Sequence, residues 1–295
     1  MRQKKITVVR KRGAHVMDEF ISLMTDIFSL PFMIKAFIVG ILIALCSSIL
    51  GVSLVLKRYA MIGDGLSHVG FGALAVAAAM NMAPLKVAIP VVIITAFLLL
   101  RMSESGKVKG DSAIAMVSSC SLALGVLIVS VSSSNVDLNS YLFGSIYAIG
   151  DEDMYLSIIL SVVVILLYFL FYNKIFAVTF DENFARATGA RASIYNMIMA
   201  CLTAVTVVVG MRLVGSLLIS SLIIFPPLTS MRVCRTFKKV IISSIVVSIV
   251  CMIVGIISSF VYDAPASSCI VLANLGAFIV FYLVGVIKGK INKKV

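Results

Sequence analysis

Apolar residues run along this chain in blocks of about twenty, set apart by short clusters of charge. Blocks of that length, apolar all round rather than at alternate positions, predict helices that cross a bilayer and argue against a β-barrel. They fall at residues 34–56, 61–82, 84–100, 112–131, 154–172, 194–211, 213–225, 240–261 and 267–287. Pro84 opens the third, and Met211 and Arg212 separate the sixth from the seventh. Pro226 and Pro227 are expected to end the seventh, because neither supplies a helix donor and Pro227 disfavours helix at the residue before it. Upstream, Phe20, Leu23, Met24, Ile27 and Phe28 recur at helical spacing within 17–33, which predicts an amphipathic helix lying at the membrane interface. Residues 135–150 are apolar but broken by Asn139, Gly144 and Gly150, and read as a short surface or re-entrant piece. The organisation expected is therefore a basic arm and interfacial helix over 1–31, a membrane domain over 32–287, and a basic cytoplasmic tail over 288–295.

Composition agrees with the pattern. Of 295 residues, 61% are hydrophobic and 13% charged, whereas a soluble domain is about half apolar and a quarter charged. The fold class expected is all-α, a polytopic membrane protein of eight or nine crossings. The net charge of +12 does not form a nucleic-acid face, since its lysines and arginines sit in loops between apolar blocks. Lys57 and Arg58, the 101–110 loop, 174–191, 232–239 and the tail share one side if every block crosses, and that side is cytoplasmic by the positive-inside rule. Nine crossings then leave the N-terminus outside, against the basic arm of Arg2, Lys4, Lys5, Arg10, Lys11 and Arg12. Either one block does not cross, or a start at Met17 removes the arm. The six cysteines contain no Cys-x-x-Cys pair and read as packing residues.

One polar pair stands out inside an apolar block. Asp64 and His68, in Met61-Ile62-Gly63-Asp64-Gly65-Leu66-Ser67-His68, are one helical turn apart on one face. Ionisable groups at membrane depth are expensive and usually mark a pathway. A carboxylate oxygen and an imidazole nitrogen suit Zn²⁺, Mn²⁺ or Fe²⁺, but two ligands are too few for a site. A two-fold dimer would supply two of each and neutralise a divalent ion. The other reading gives both residues structural work, with Asp64 capping the helix and His68 bonding a backbone carbonyl. Gly63, Gly65, Ser67, Gly70 and Gly72 permit close helix approach.

No phosphate-binding Gly-x-x-x-x-Gly-Lys-Ser/Thr loop occurs, so ATP-driven transport would need a separate ATPase. An intramembrane aspartyl protease would pair Gly63-Asp64 with Tyr262-Asp263, yet Met61 stands where the first glycine of that motif belongs and Asp263 neighbours Pro265. Cytoplasmic by charge are Arg232, Arg235 and Lys238, which a short helix after Pro226 and Pro227 would present to a soluble partner.

Several segments together resemble one family, the permease subunits of bacterial ABC importers for zinc, manganese or iron. They are Val55 to His68, Lys109-Gly110-Asp111-Ser112-Ala113, Tyr141-Leu142-Phe143-Gly144-Ser145, Phe180-Asp181-Glu182-Asn183-Phe184-Ala185-Arg186-Ala187-Thr188-Gly189, Val214-Gly215-Ser216-Leu217-Leu218 leading to Pro226-Pro227, and Asp263-Ala264-Pro265. The resemblance implies a type II, vitamin B12-importer-like architecture, a homodimer of permeases in the cell membrane, two cytoplasmic ABC ATPases and an extracellular metal-binding lipoprotein. It implies that Asp64 and His68 contact the metal in transit, as substrate and not as a resident cofactor. It also implies that Pro226, Pro227, Arg232, Arg235 and Lys238 couple to the ATPase, with Asp181, Phe184, Arg186 and Gly189 a second contact. The wording of residues 57–59 and 63–72 is closer to zinc members than to manganese members, which favours zinc, then manganese. The alternative within reach of the same resemblance is a permease for a metal chelate of siderophore or cobalamin type.

Overall fold

The computed structural model describes residues 29–80, 82–104, 110–132, 144 and 150–292. These form helices joined by short turns, with no strand among the described residues. In chain order they are α1 (Pro31–Leu56), α2 (Met61–Ala79), α3 (Pro84–Glu104), α4 (Gly110–Val131), α5 (Asp151–Leu170), α6 (Tyr172–Phe180), α7 (Glu182–Ala187), α8 (Ala192–Val214), α9 (Ser216–Met231), α10 (Phe237–Tyr262) and α11 (Ala266–Asn292). Among the described residues seven helices are long and apolar enough to cross a membrane, and α5 with α6, bent by 68° at their break, passes the same test as one broken span or a re-entrant pair. The chain is thus a multi-pass helical membrane protein, and α9, 16 residues long, is a shorter apolar helix within it.

The local chemistry explains the boundaries. Pro31 begins α1, where its missing amide is no loss. The helix ends because Arg58 turns left-handed (φ 63°) and the Tyr59 amide returns to the Leu54 carbonyl at 2.8 Å. That tight stop leaves only four residues before α2. Asp181 stops α6 and starts α7, accepting the Phe184 amide at 2.9 Å.

Two ion pairs mark the two faces of the bundle. Lys35 meets Asp151 at 2.6 Å at one end of α1, and Lys57 meets Glu182 at 3.4 Å at the other. Twenty-two residues of helix separate these lysines, about 33 Å at 1.5 Å per residue, against a hydrocarbon core of about 30 Å. Between them α1, α2, α8 and α9 make the core, with Ile43, Leu66, Val207, Val208, Leu218, Leu222 and Ile223 at 2% exposure or less. Helices α4 and α11 bury few of their residues and present their apolar surfaces outward.

Four boundaries differ from the sequence expectation. Residues 31–33 belong to α1, not to an interfacial helix; the arm, residues 17–28 of that helix and the 135–150 piece, apart from Gly144 and Gly150, lie outside the described residues. The break between the sixth and seventh blocks is at Gly215 (φ 89°), not at Met211–Arg212. Gly144 (φ 74°) packs its backbone against that turn, where an added Cβ would come within 2.4 Å of the Gly215 nitrogen. Helix α11 carries on to Asn292, into the stretch expected as a tail.

The fourth correction concerns the prolines. Pro226 and Pro227 lie inside α9 rather than ending it. Each removes a donor, and Pro227 leaves the Ile223 carbonyl without its partner in the next turn. Gly51 of α1 is packed directly on that carbonyl. Proline is tolerated within a membrane helix where a neighbouring element covers the freed groups.

Candidate metal pathway

Asp64 is the fourth residue of α2 and His68 lies one turn further along. Gly63 packs on Ile223, the residue whose carbonyl meets Gly51. Asp64 lies three residues past the start of α2 at Met61, about 4.5 Å along the helix axis, and His68 lies about 6 Å further. Both residues lie on Met61–Ala79, a helix long and apolar enough to cross a membrane, and both side chains keep a face open, 40% exposed for Asp64 and 28% for His68.

Neither residue does the structural work that would otherwise explain it. Ala60 is the N-cap of α2 and no side chain caps the helix there. Asp64 Oδ1 instead accepts a hydrogen bond from Ser220 Oγ of α9 at 2.9 Å. His68 Nε2 faces Asp64 Oδ2 at 3.7 Å, and His68 Nδ1 is buried with no partner among the described residues. A gap of 3.7 Å is too long for a hydrogen bond. It is close to the separation of two ligands on one tetrahedral zinc, about 3.4 Å for bonds of 2.0–2.1 Å. Among the described residues no cluster of three or more His, Cys, Asp or Glu forms. Among the described residues, one chain thus supplies two donors pre-arranged on one helix face and no third beside them.

The supporting packing is tight. An added Cβ at Gly72 would lie 2.6 Å from the Ser121 carbonyl of α4, and one at Gly125 would lie 2.9 Å from Gly72 Cα. Helices α2 and α4 thus touch backbone to backbone, as small residues on one face of α2 suggest.

The residues expected to couple to an ATPase have a different setting from the one expected. No separate helix follows Pro226 and Pro227: α9 ends at Met231, a turn carries Arg232 and Arg235, and Lys238 is in the first turn of α10. The start of α10 is fixed by Phe237, which is buried against Tyr172, Phe176 and Phe180. Arg232 lies 5.6 Å over the Phe278 ring and 5.2 Å over the Tyr282 ring of α11, a cation–π clasp that holds the turn to the bundle. Arg235 and Lys238 are exposed. On α7, Asp181 is the cap, Phe184 is 64% exposed, Arg186 pairs with Glu182 at 2.6 Å, and Gly189 (φ 84°) closes the helix.

Three residues to which the sequence reading gave no role, Ser220, Glu182 and Asn196, tie these parts together. Ser220 joins α9 to the pathway. Glu182 gathers Lys57 at 3.4 Å, Asn196 Nδ2 at 3.2 Å and Arg186, while Lys57 also donates to the Asn196 side-chain oxygen. Burial pushes the Glu182 carboxyl upward, but the hydrogen bonds from Asn196 and Arg186 and the charge and hydrogen bond of Lys57 outweigh it and hold the group below the usual carboxylate range. The resemblance signal did contain Glu182 within 180–189, but nothing in the order of residues pairs it with Lys57, 125 positions away.

Comparison with known proteins decides the family. The sequence pattern of the ABC 3 transport family matches residues 29–285, nearly the whole of the membrane domain. The chain belongs to the ABC 3 transport family. Within reach of it are the manganese import system permease protein ScaB of Streptococcus gordonii, 26% identical over 95% of this chain and 100% of that protein. Another relative is the high-affinity zinc uptake system membrane protein ZnuB of Buchnera aphidicola subsp. Acyrthosiphon pisum, 31% identical over 80% of this chain and 90% of that one. Among solved structures, PsaBC from Streptococcus pneumoniae in complex with Fab superposes with a TM-score of 0.81 at 25% identity, covering 89% of this chain and 95% of that one. The all-helical, type II permease architecture expected from the sequence is the one this ABC 3 family member has.

Proposed function

We propose that the chain is the membrane-spanning subunit of an ABC importer for a divalent transition metal ion, zinc first and manganese next. The observation that carries this reading is the Asp64–His68 pair: two metal donors on a helix long and apolar enough to cross a membrane, 3.7 Å apart, neither occupied by capping or by a backbone partner. Relatives whose names state manganese and zinc support a metal ion and leave the choice to the donors. An imidazole and a singly held carboxylate oxygen at a near-tetrahedral separation favour zinc.

The same reading implies what the chain would need from others. Two donors cannot hold an ion, so a second copy related by a two-fold axis completes the set with its own carboxylate and imidazole. A site with two carboxylates cancels the charge of a divalent ion, and such a site must stay weak enough for the ion to leave. Energy comes from a separate ABC ATPase on the cytoplasmic side, docking around Arg235 and Lys238 with the exposed Phe184 of α7 as a second contact. An extracellular metal-binding lipoprotein delivers the ion.

Asp64→Ala and His68→Ala, each reconstituted with the ATPase and binding protein, are expected to lose at least nine-tenths of uptake of ⁶⁵Zn²⁺ while the assembly still forms and inserts, on the scale of roughly 10–100-fold effects at metal sites. Wild-type uptake by both variants would overturn the site. Uptake of a siderophore or cobalamin chelate in place of the bare ion would select the chelate permease. The protease alternative pairs Asp64 with Asp263, but Asp263 ends α10 in a left-handed turn (φ 48°), a helix of 26 residues away from the cytoplasmic start at Phe237.

A further inference from the structure

Ser220 is held in an unusual place. Its hydroxyl proton is shared between Asp64 Oδ1 at 2.9 Å and the Ser216 carbonyl at 3.1 Å. A hydroxyl has one proton to give, so the carboxylate draws it partly away from the local helix contact that serine ordinarily makes. The result is a carboxylate with one oxygen engaged and the other, Oδ2, left facing His68. His68 has no comparable support, since its Nδ1 is buried without a partner among the described residues. Metal-binding side chains normally have such outer partners on both kinds of ligand. Here only the carboxylate has one.

The helix that carries Ser220 is set apart from its neighbours. Gly215 breaks it from α8 at one end, and Pro226 and Pro227 interrupt its hydrogen-bond ladder toward the other. It then runs directly into the turn of Arg232 and Arg235 at the cytoplasmic face. Helix α9 thus connects that turn to the hydrogen bond on Asp64.

We propose that Ser220 is the positioning residue of the metal path, holding Asp64 as a one-oxygen ligand and linking its orientation to α9. This rests on the metal-permease reading above. With Oδ1 tied to Ser220, Asp64 offers the ion Oδ2 alone, the geometry a tetrahedral zinc accepts. Without the tie the carboxylate is free to turn and to take an ion through both oxygens, which suits the larger coordination shells of manganese better than zinc. Ser220 thus sets both the strength of the site and its preference between the two ions.

The test is equilibrium binding of Zn²⁺ alone and Mn²⁺ alone to the purified permease–ATPase assembly, wild type against Ser220→Ala and Ser220→Thr, with thermal unfolding in parallel. Ser220→Ala is expected to weaken Zn²⁺ binding about tenfold and Mn²⁺ binding by less, with an unchanged unfolding temperature. Ser220→Thr, which keeps the hydroxyl, is expected to restore the wild-type ratio. Wild-type affinities for both ions in Ser220→Ala would overturn the proposal and leave the metal reading standing. An equal loss for both ions that tracks a lowered unfolding temperature would also overturn it, by showing a packing role. A wild-type assembly that binds neither ion would overturn the metal reading and this proposal with it.

Discussion

Gly51 of α1 rests on the peptide of Ile223 in α9, so closely that a Cβ at Gly51 would lie 2.1 Å from the Ile223 carbonyl oxygen. That oxygen is the acceptor Pro227 leaves without a helix donor. The close approach lets α1 cover a polar group that lipid would not tolerate. Gly51→Ala is expected to force the two helices apart and to destabilise by about 1–3 kcal/mol, the usual cost of overpacking. Adding Pro227→Ala supplies an amide that draws the carbonyl back into α9, and part of the loss should return. Apparent unfolding temperatures of the wild type and the single and double variants check this; equal values for all of them would remove the account.

A second buried contact joins α1 to α5. Tyr168 Oη and Ser53 Oγ are 3.0 Å apart, and both residues are fully buried. Tyr168→Phe leaves the serine hydroxyl without this partner and is expected to cost about 1–3 kcal/mol. The double variant with Ser53→Ala removes both polar groups and should unfold nearer the wild-type temperature than Tyr168→Phe does. A double variant weaker than either single one would show that packing, not the hydrogen bond, matters here.

Glu182 makes its junction with Lys57 and Asn196 sensitive to acid. Its partners hold the carboxyl below the usual range. The folded protein therefore keeps this group ionised at pH values where the unfolded chain has begun to bind a proton. Its contribution is complete above the unfolded value, about 4.3, and disappears as the pH falls through the folded one. With the side chain 30% exposed, solvent screening limits that contribution to about 1 kcal/mol. Glu182→Gln should be less stable than wild type at pH 7, with the difference narrowing below about pH 4.3. Hydrogen exchange over residues 182–190 as a function of pH reads the junction directly, and a difference that does not depend on pH would count against it.

Much of this was readable in advance, for a physical reason. A bilayer demands long apolar helices, so the blocks declare the fold class. It also makes an aspartate and a histidine within a block conspicuous, which is why Asp64 and His68 stood out. Ser220 gave no such signal, because serines at membrane depth usually bond their own helix and Ser216, Ser220 and Ser221 look alike in the sequence. The boundary at Gly215 is obscured by Arg212, whose charge marks a break three residues too early. The prolines misled because their effect depends on what covers the freed carbonyl, and Gly51 lies 172 positions upstream of Ile223 in the chain. The Lys57–Glu182–Asn196 junction is a matter of tertiary geometry from the outset.

The ion pairs at the two ends of α1 have a consequence for the lipid. A lysine at a membrane edge ordinarily adjusts to bilayer thickness by extending its ammonium toward the headgroups. Lys57 is engaged with Glu182 and Asn196 and only 12% exposed, so it is not free to follow them. A thinner or thicker membrane is then met by tilting the bundle or by deforming the lipid around it, at a fraction of a kcal/mol per ångström of mismatch. Acyl-chain length is thereby felt by the same junction that stands between the cytoplasmic helix α7 and the turn leading to Asp64.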